Sequence, residues 1–431
     1  MKPVRIAAFI IVLILLAAGA YVVVGDQYTN PEGPALSAAA VLIESTSTLQ
    51  NGMSMQEFSG ESVSGSSINV DATGTEEEVS LSQQSSNNEV ETQEPELRFM
   101  AVGDIMLGRG VGMRLQKAGN YEKAFENITS VLSQGDIVFA NLETPLTTST
   151  HGLDSKGKIV LKGKPEAVGA LTSAGFNLVS LSNNHMMDYY EKGLFDTMSL
   201  LDANNILHSG SGNNLEEARK PAIIEKNGLK IGLLAYTDMA ELIFAGDPYL
   251  SFAADSEKSG LVPRKYETIR EDVMKLRSQV DLLAVSLHWG VEESFTIPPE
   301  QVEFAHNLID DGVDIILGHH PHQFQGMEVY KGKPILYSMG NFLFDQNDPE
   351  NMESFIIDMK YKGTELSEFS AIPVRILDKS YVEIQTGEKA VNILERQAEL
   401  CRKLGTDSIT DNDRLVLIHK ENTRETLNEN N

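Results

Sequence analysis

Cysteine is almost missing from this chain. Of 431 residues only Cys401 bears a thiol, so no intramolecular disulfide can form and a cysteine-rich zinc site is excluded. Any metal must be held by His, Asp, Glu or Asn. Basic residues are scarce too: 35 Lys and Arg stand against 62 Asp and Glu, a formal net charge of −27. Nucleic-acid binding needs a basic face, so no nucleic-acid partner is expected. There is no GxxxxGK(S/T) phosphate loop, which argues against an ATP-dependent ligase, and no Gly-x-Ser-x-Gly nucleophile elbow. Tryptophan occurs once, as Trp289, and no internal repeat is visible.

What is present is sharply zoned. Residues 6–24 form an unbroken apolar run, IAAFIIVLILLAAGAYVVV, behind Lys2 and Arg5. At about 1.5 Å per residue it nearly spans a hydrocarbon core of roughly 30 Å. Ala18-Gly19-Ala20 would suit cleavage of a signal peptide, but the apolar run continues past it, so residues 1–25 read as an uncleaved membrane anchor. No Lys or Arg follows until Arg98. The positive-inside rule then sets the N-terminus in the cytoplasm and the main domain outside, as a single-pass protein of the cell membrane. Residues 26–96 are rich in Ser, Glu, Gln, Asn, Thr and Gly and include Glu76-Glu77-Glu78. They cannot bury enough surface to offset chain entropy and read as a disordered acidic tether.

From Leu97 short aliphatic runs alternate with helical patterns. Strands are expected at 97–102, 136–143, 176–183, 206–210, 281–290 and 313–322. Helices are expected at 121–134, 165–175, 193–205, 264–279 and 298–312. A hairpin over 221–238 should turn at Asn227-Gly228. This alternation predicts an α/β core with helices over the sheet faces. Late strands near 327–337, 355–361 and 372–376 suggest a second sheet or an antiparallel extension. The main domain is bounded at 97–378, and 379–431 forms a strand and helix extension with a polar tail.

Polar residues gather where the expected strands end, the place where open α/β sheets collect ligands. The first strand runs into Gly103-Asp104, the second into Asn141-Leu142-Glu143, and the third into Asn183-Asn184-His185 with Asp188 behind. Later ones run into His288-Trp289-Gly290, Gly318-His319-His320-Pro321-His322 and Gly340-Asn341, followed by Asp345. Each cluster alone could be a turn, a cap or a core histidine; six on one rim point to a ligand. Carboxylate, amide and imidazole donors suit a divalent Mn, Zn or Fe ion. A pair of such ions could clamp a phosphoryl group and activate a water.

GDIMLGR (103–109), NLETPL (141–146), NNHMMD (183–188), HWGVE (288–292), GHHPHQFQ (318–325) and GNFLFDQ (340–346) together resemble the ordered motifs of the bacterial capsule-synthesis CapA family. That family is similar to calcineurin-like metallophosphoesterases, and the resemblance implies a metallophosphoesterase-like four-layer α/β/β/α sandwich. It also implies metal ligands at Asp104, Glu143, Asn184 and His288, with Glu143 in the bridging place. His185 takes the acid/base place, beside Asp188. In the last histidine motif His320 and His322 keep the His-x-His spacing, whereas His319 keeps the Gly-His adjacency. Asn141, Glu292, His319, Asn341 and Asp345 are further binding candidates. Arg109 could clamp a carboxylate or phosphate bidentately. Two departures from phosphoesterases stand out: Met106 replaces the first histidine, and Glu143 replaces an aspartate.

The resemblance implies a membrane-anchored extracellular factor for synthesis or export of a poly-γ-glutamate-type capsule polymer. Expected partners are a cytoplasmic ligase, membrane subunits of the polymer synthase, and the anionic polymer itself. The alternative is a metal-dependent hydrolase outside the membrane, cutting a phosphoester or the polymer's amide bonds. Lys156, Lys158, Lys162 and Lys164 share parity in KGKIVLKGK. As one strand they would line one face, either tracking an anionic polymer or guarding a solvated edge.

Overall fold

The computed structural model describes residues 94–242 and 251–418. The expected anchor, the tether up to residue 93 and the tail from 419 lie outside the described residues. Among the described residues no helix is long and apolar enough to cross a membrane.

Two sheets are stacked. In the first, strands Glu96–Ile105, Ile137–Leu142, Leu178–Ser180 and Leu207–Ser209 run parallel. Strands Glu353–Lys362 and Glu365–Leu377 join antiparallel on the other side of Glu96–Ile105, and the hairpin Ser408–Asp411/Arg414–Leu417 forms that edge. In the second, Leu229–Thr237, Leu282–His288, Ile315–His319 and Lys333–Leu336 run parallel. Antiparallel Ala222–Lys226 and Met327–Tyr330 close its edges. The late strands therefore divide: 327–336 extends the second sheet and 353–377 the first. The 222–237 hairpin turns at Asn227 (φ 52°) and Gly228 (φ 83°), the two positive angles of a type I′ turn.

Residue parity builds the layers. Leu97, Phe99, Ala101, Ile137 and Phe139 from the first sheet meet Ile231, Leu233, Leu282, Ala284, Ile315 and Leu317 from the second. The opposite parity, Met100, Val102, Val138 and Ala140, meets Val111 and Leu115 of helix Arg109–Lys117 and Leu194 and Leu201 of helix Tyr190–Ala203. On the far side, Leu283, Val285 and Ile316 meet Ile269 and Val273 of helix Tyr266–Leu276 and Ala305 and Leu308 of helix Pro299–Asp310. The order is helix, sheet, sheet, helix. Helix Glu388–Lys403 sends Ala390, Ile393, Leu394 and Cys401 into the core between the sheets.

Two expectations fail locally. The helix expected over 121–134 is split into turns Glu122–Ala124 and Thr129–Leu132, because Phe125 and Ile128 leave helical geometry. Both side chains are fully buried, so core packing outweighs helix propensity. The lysine-rich stretch is not a strand. Asp154–Ile159 forms 3₁₀ turns broken at Gly157 (φ 55°), and Lys156 points inward, 8% exposed. No single face holds the four lysines.

Candidate functional site

The site lies where the core between the sheets runs out at the carboxyl ends of the parallel strands. Ile137 and Phe139 face that core, so Asn141 and Glu143 continue on the same side. By the same alternation Leu282 and Ala284 lead to His288, and Ile315 and Leu317 lead to His319. His288 and His319 are directly paired in register. Asp104 is the exception: simple alternation from Phe99 and Ala101 would turn it toward the helices. An irregularity between Ala101 and Asp104 shifts the register, and such a bulge re-aims the side chain. There the strand changes neighbour, pairing Asp104 with Asn141 on one side and Asn341 on the other. Gly103 makes this possible, because a Cβ there would sit 1.9 Å from Gly340 O.

Asp104, Asn141, Glu143, His288, His319 and Asn341 are fully buried. Asp104 Oδ1 accepts from Asn141 Nδ2 and pairs with His319 Nδ1, both at 2.9 Å. Burial works against the Asp104 carboxylate. The His319 hydrogen bond, the charges of His319 and His322 and the Asn141 amide outweigh it and hold the carboxyl below its ordinary range. Glu143 is the opposite case: burial first, then the charges of Asp104 and Glu292, push its carboxyl well up. His288 Nε2 lies 3.1 Å from Asn184 Oδ1. Burial, then the neighbouring histidines, keeps its ring well below the usual imidazole value.

His185 is held differently. Its Nδ1 is 2.7 Å from Asp188 Oδ2. A carboxylate only accepts, so Nδ1 carries the proton and the neutral ring presents a bare Nε2, 4.0 Å from Glu143 Oε1. Asp188 Oδ1 accepts from Lys156 Nζ at 2.6 Å, and Asp188 Oδ2 accepts from Leu161 N at 2.7 Å. Lys156 Nζ also donates to Asn184 O at 2.8 Å. Burial, opposed by Asp188 and helped by Lys156, pushes His185 down to about 4. His320 falls to about 3, again chiefly through burial.

The structure thus brings together Asp104, Asn141, Glu143, Asn184, His185, Asp188, His288, His319 and His320. His322 faces Asn341, with Nδ1 2.9 Å from its Oδ1. Arg109 and Asp345 pair with each other, with Arg109 30% exposed. Glu292 is exposed, and its charge reaches Glu143 and Lys156. Met106 turns back on its own backbone, accepting from Gly108 N at 3.0 Å. Sequence reasoning put Lys156 in a lysine row open to an anionic polymer and missed its place in this cluster; no local pattern marks its inward turn. It also missed the role of Asn183, which donates to Asn141 Oδ1 at 3.1 Å and accepts from the backbone N–H of His185 and Met186. Its place in the Asn-Asn-His run was the available signal.

A divalent ion fits the donor set. One donor atom each from Asp104, Glu143 and His288 lie within 4.8 Å of one another. Glu143 Oε1, His319 Nε2 and His320 Nδ1 are buried without a hydrogen-bond partner, which is costly unless something else satisfies them. His320 (φ 100°) and His322 (φ 62°) hold positive backbone angles, and strain of this kind clusters at functional sites.

The family described as "Bacterial capsule synthesis protein PGA_cap" matches residues 98–346, a stretch containing every candidate from Asp104 to Asp345. Over 308 residues the chain is 30% identical to the PGA biosynthesis protein CapA of Bacillus subtilis (strain 168), covering 71% of this chain and 77% of that protein. It is 31% identical over 290 residues to the capsule biosynthesis protein CapA of Bacillus anthracis, covering 66% and 68%. A probable polyglutamine synthesis accessory protein of Mycobacterium tuberculosis is 30% identical over 61% of this chain and 71% of its own length. Among solved structures, a hypothetical protein from Thermus thermophilus aligns with TM-score 0.39 and 16% identity, over 67% of this chain and all of that one.

Proposed function

This chain belongs to the bacterial capsule synthesis protein PGA_cap family, and from that premise we propose that it serves the production of a poly-γ-glutamate-type capsule polymer at the outer face of the cell membrane. The observation behind this reading is the family match over residues 98–346, which spans the whole buried site. The apolar run at 6–24 and its flanking charges support an anchored, outward-facing protein. ATP-dependent ligation would then fall to a cytoplasmic partner, and membrane subunits would pass the chain outward.

The unpartnered donors favour a second reading of the same site, a metal-dependent hydrolase acting on the polymer or on a phosphoester. Asp104, Glu143 and His288 would hold a Mn, Zn or Fe ion, with Asn184, His319 and His320 beside them. When bound, such an ion supplies an acidified water and stabilises developing negative charge. The chain's own groups do the rest. Asp188 fixes the His185 ring and its tautomer. Lys156 neutralises Asp188, so Nε2 stays unprotonated and can take a proton from a group beside Glu143. Asn183 holds Asn141 and the His185 loop in place, and the stacked sheets exclude water from the cluster's inner side.

Deleting the gene and complementing it tests both readings. Loss of surface polymer, restored by the wild-type chain, supports the capsule role; unchanged polymer sinks it. An Asp104→Ala chain that restores polymer fully would show that the metal site is dispensable. Turnover of model phosphodiesters with added Mn²⁺, lost in His185→Ala, would establish the hydrolase. Protease accessibility of the 97–418 region in intact cells checks the orientation.

A further inference from the structure

Arg109 and Asp345 meet just beyond the ends of the two parallel strands that pair Asp104 with Asn341. Asp345 accepts from Arg109 Nη2 and, at 2.9 Å, from Gly110 N. Taken alone this is a half-exposed ion pair, and such pairs contribute little. Three features are out of proportion to that role. Arg109 holds φ 39°, a left-handed angle that long side chains avoid. Its Nε is buried with no hydrogen-bond partner and Nη2 is engaged by Asp345, so the inner edge of the guanidinium is closed and the outer Nη1–Nη2 edge is left for a ligand. Its guanidinium lies 5.7 Å from the Phe344 ring, and that ring meets His322 edge-on at 5.1 Å. One aromatic ring therefore separates this cation from the histidine loop.

The other site cation cannot do what Arg109 can. The Lys156 side chain is 3% exposed and bound to Asp188. The Arg109 side chain is 30% exposed. A guanidinium fork matches a planar carboxylate bidentately. A γ-linked glutamate polymer leaves one α-carboxylate free on every residue.

We propose that Arg109, beside the site, determines its specificity: the outer Nη1–Nη2 edge of its guanidinium holds a free α-carboxylate of a γ-glutamyl chain, and Asp345 on Nη2 keeps that edge aimed. This rests on the polymer reading above and adds the contact that selects the substrate.

The test is calorimetric titration of the full chain in detergent with oligo-γ-glutamate, with and without inorganic phosphate. Arg109→Gly removes the fork and relieves the positive φ. It is expected to weaken binding about tenfold or more, with the chain still folded and its Mn²⁺ stoichiometry unchanged. Arg109→Lys keeps the charge but not the fork, and should also bind more weakly than wild type; it carries the test if the glycine variant does not fold. Undiminished binding by the variants overturns the clamp and leaves the polymer reading intact. Failure of the wild type to bind the oligomer overturns both. Displacement of the oligomer by an equal concentration of phosphate overturns the preference for carboxylate.

Discussion

On the Asp104 side of the site, Glu143 Oε1, His319 Nε2 and His320 Nδ1 are buried without a partner. On the Asp188 side, one carboxylate takes donors from Lys156, His185 and the Leu161 backbone. The two groups of side chains adjoin, with His185 Nε2 4.0 Å from Glu143 Oε1, but only the second satisfies itself. Unmet buried polar atoms are a standing cost, which a cation held by the first group would offset. The second fixes the orientation of a single imidazole. The two halves should therefore answer differently to substitution and to metal.

Acid should have the largest effect, and it cuts across the two halves. Burial pushes His185 down to about 4 and His320 down to about 3, below the ordinary 6.5, and holds His288 well below it. Between the folded and unfolded values the unfolded chain holds more protons. Stability from these rings is therefore complete above about pH 6.5 and lost as pH falls toward the folded values. Glu143 has the opposite sign: its carboxyl is raised, so its contribution is complete below about 4.5 and shrinks as pH rises. Three imidazoles against one carboxyl give a net loss from pH 6.5 down to 4.5, with each group adding a slope of up to about 1.4 kcal/mol per unit. Denaturant titrations at a series of pH values measure it. A flat profile would mean that water reaches the site.

Next in size is Lys156→Met. It leaves Asp188 buried with its ammonium partner gone, and should cost about 3–5 kcal/mol. Adding Asp188→Asn should recover most of that. Should the single variant unfold at the wild-type midpoint in urea, the positioning half is not self-contained. Glu143→Gln sharpens the other half. Without metal it should cost little, since Oε1 has no hydrogen bond to lose. The wild type should gain about 2.7 kcal/mol from Mn²⁺ at a hundredfold excess over its dissociation constant. The variant should lose most of that gain in a thermal-shift series.

Much of the receiving half could be read along the chain, because alternation carries core positions straight into ligands. Ile137, Phe139, Asn141 and Glu143 share one parity, as do Leu282, Ala284 and His288. Asp104 breaks the rule through a bulge that no residue pattern announces; only its Gly-Asp motif marked it. The positioning half was half legible. His185 and Asp188 lie three apart in one motif, whereas Lys156 enters from a distant loop that looked like a strand. Its inward turn depends on the kink at Gly157 and on Asp188, a partner 32 residues away. Local pattern cannot supply such a pairing. The segment 121–134 failed for a related reason, since burial of Phe125 and Ile128 overrode the local helical preference.

The smallest effect isolates strain from ligation. His320 holds φ 100°, and a non-glycine residue in such a region costs on the order of 1–3 kcal/mol. His320→Gly removes the strain, adds some chain entropy to the unfolded state, and removes one unpartnered nitrogen. Metal-free stability should therefore rise by about 1 kcal/mol, while metal affinity falls. The opposite signs matter more than the sizes. A loop strained only by packing would gain stability and keep its affinity. A loop held by side-chain packing of His320 would lose both. Only a loop strained in order to present a ligand gives a gain in one and a loss in the other, measured on one variant by denaturation without metal and by titration with it.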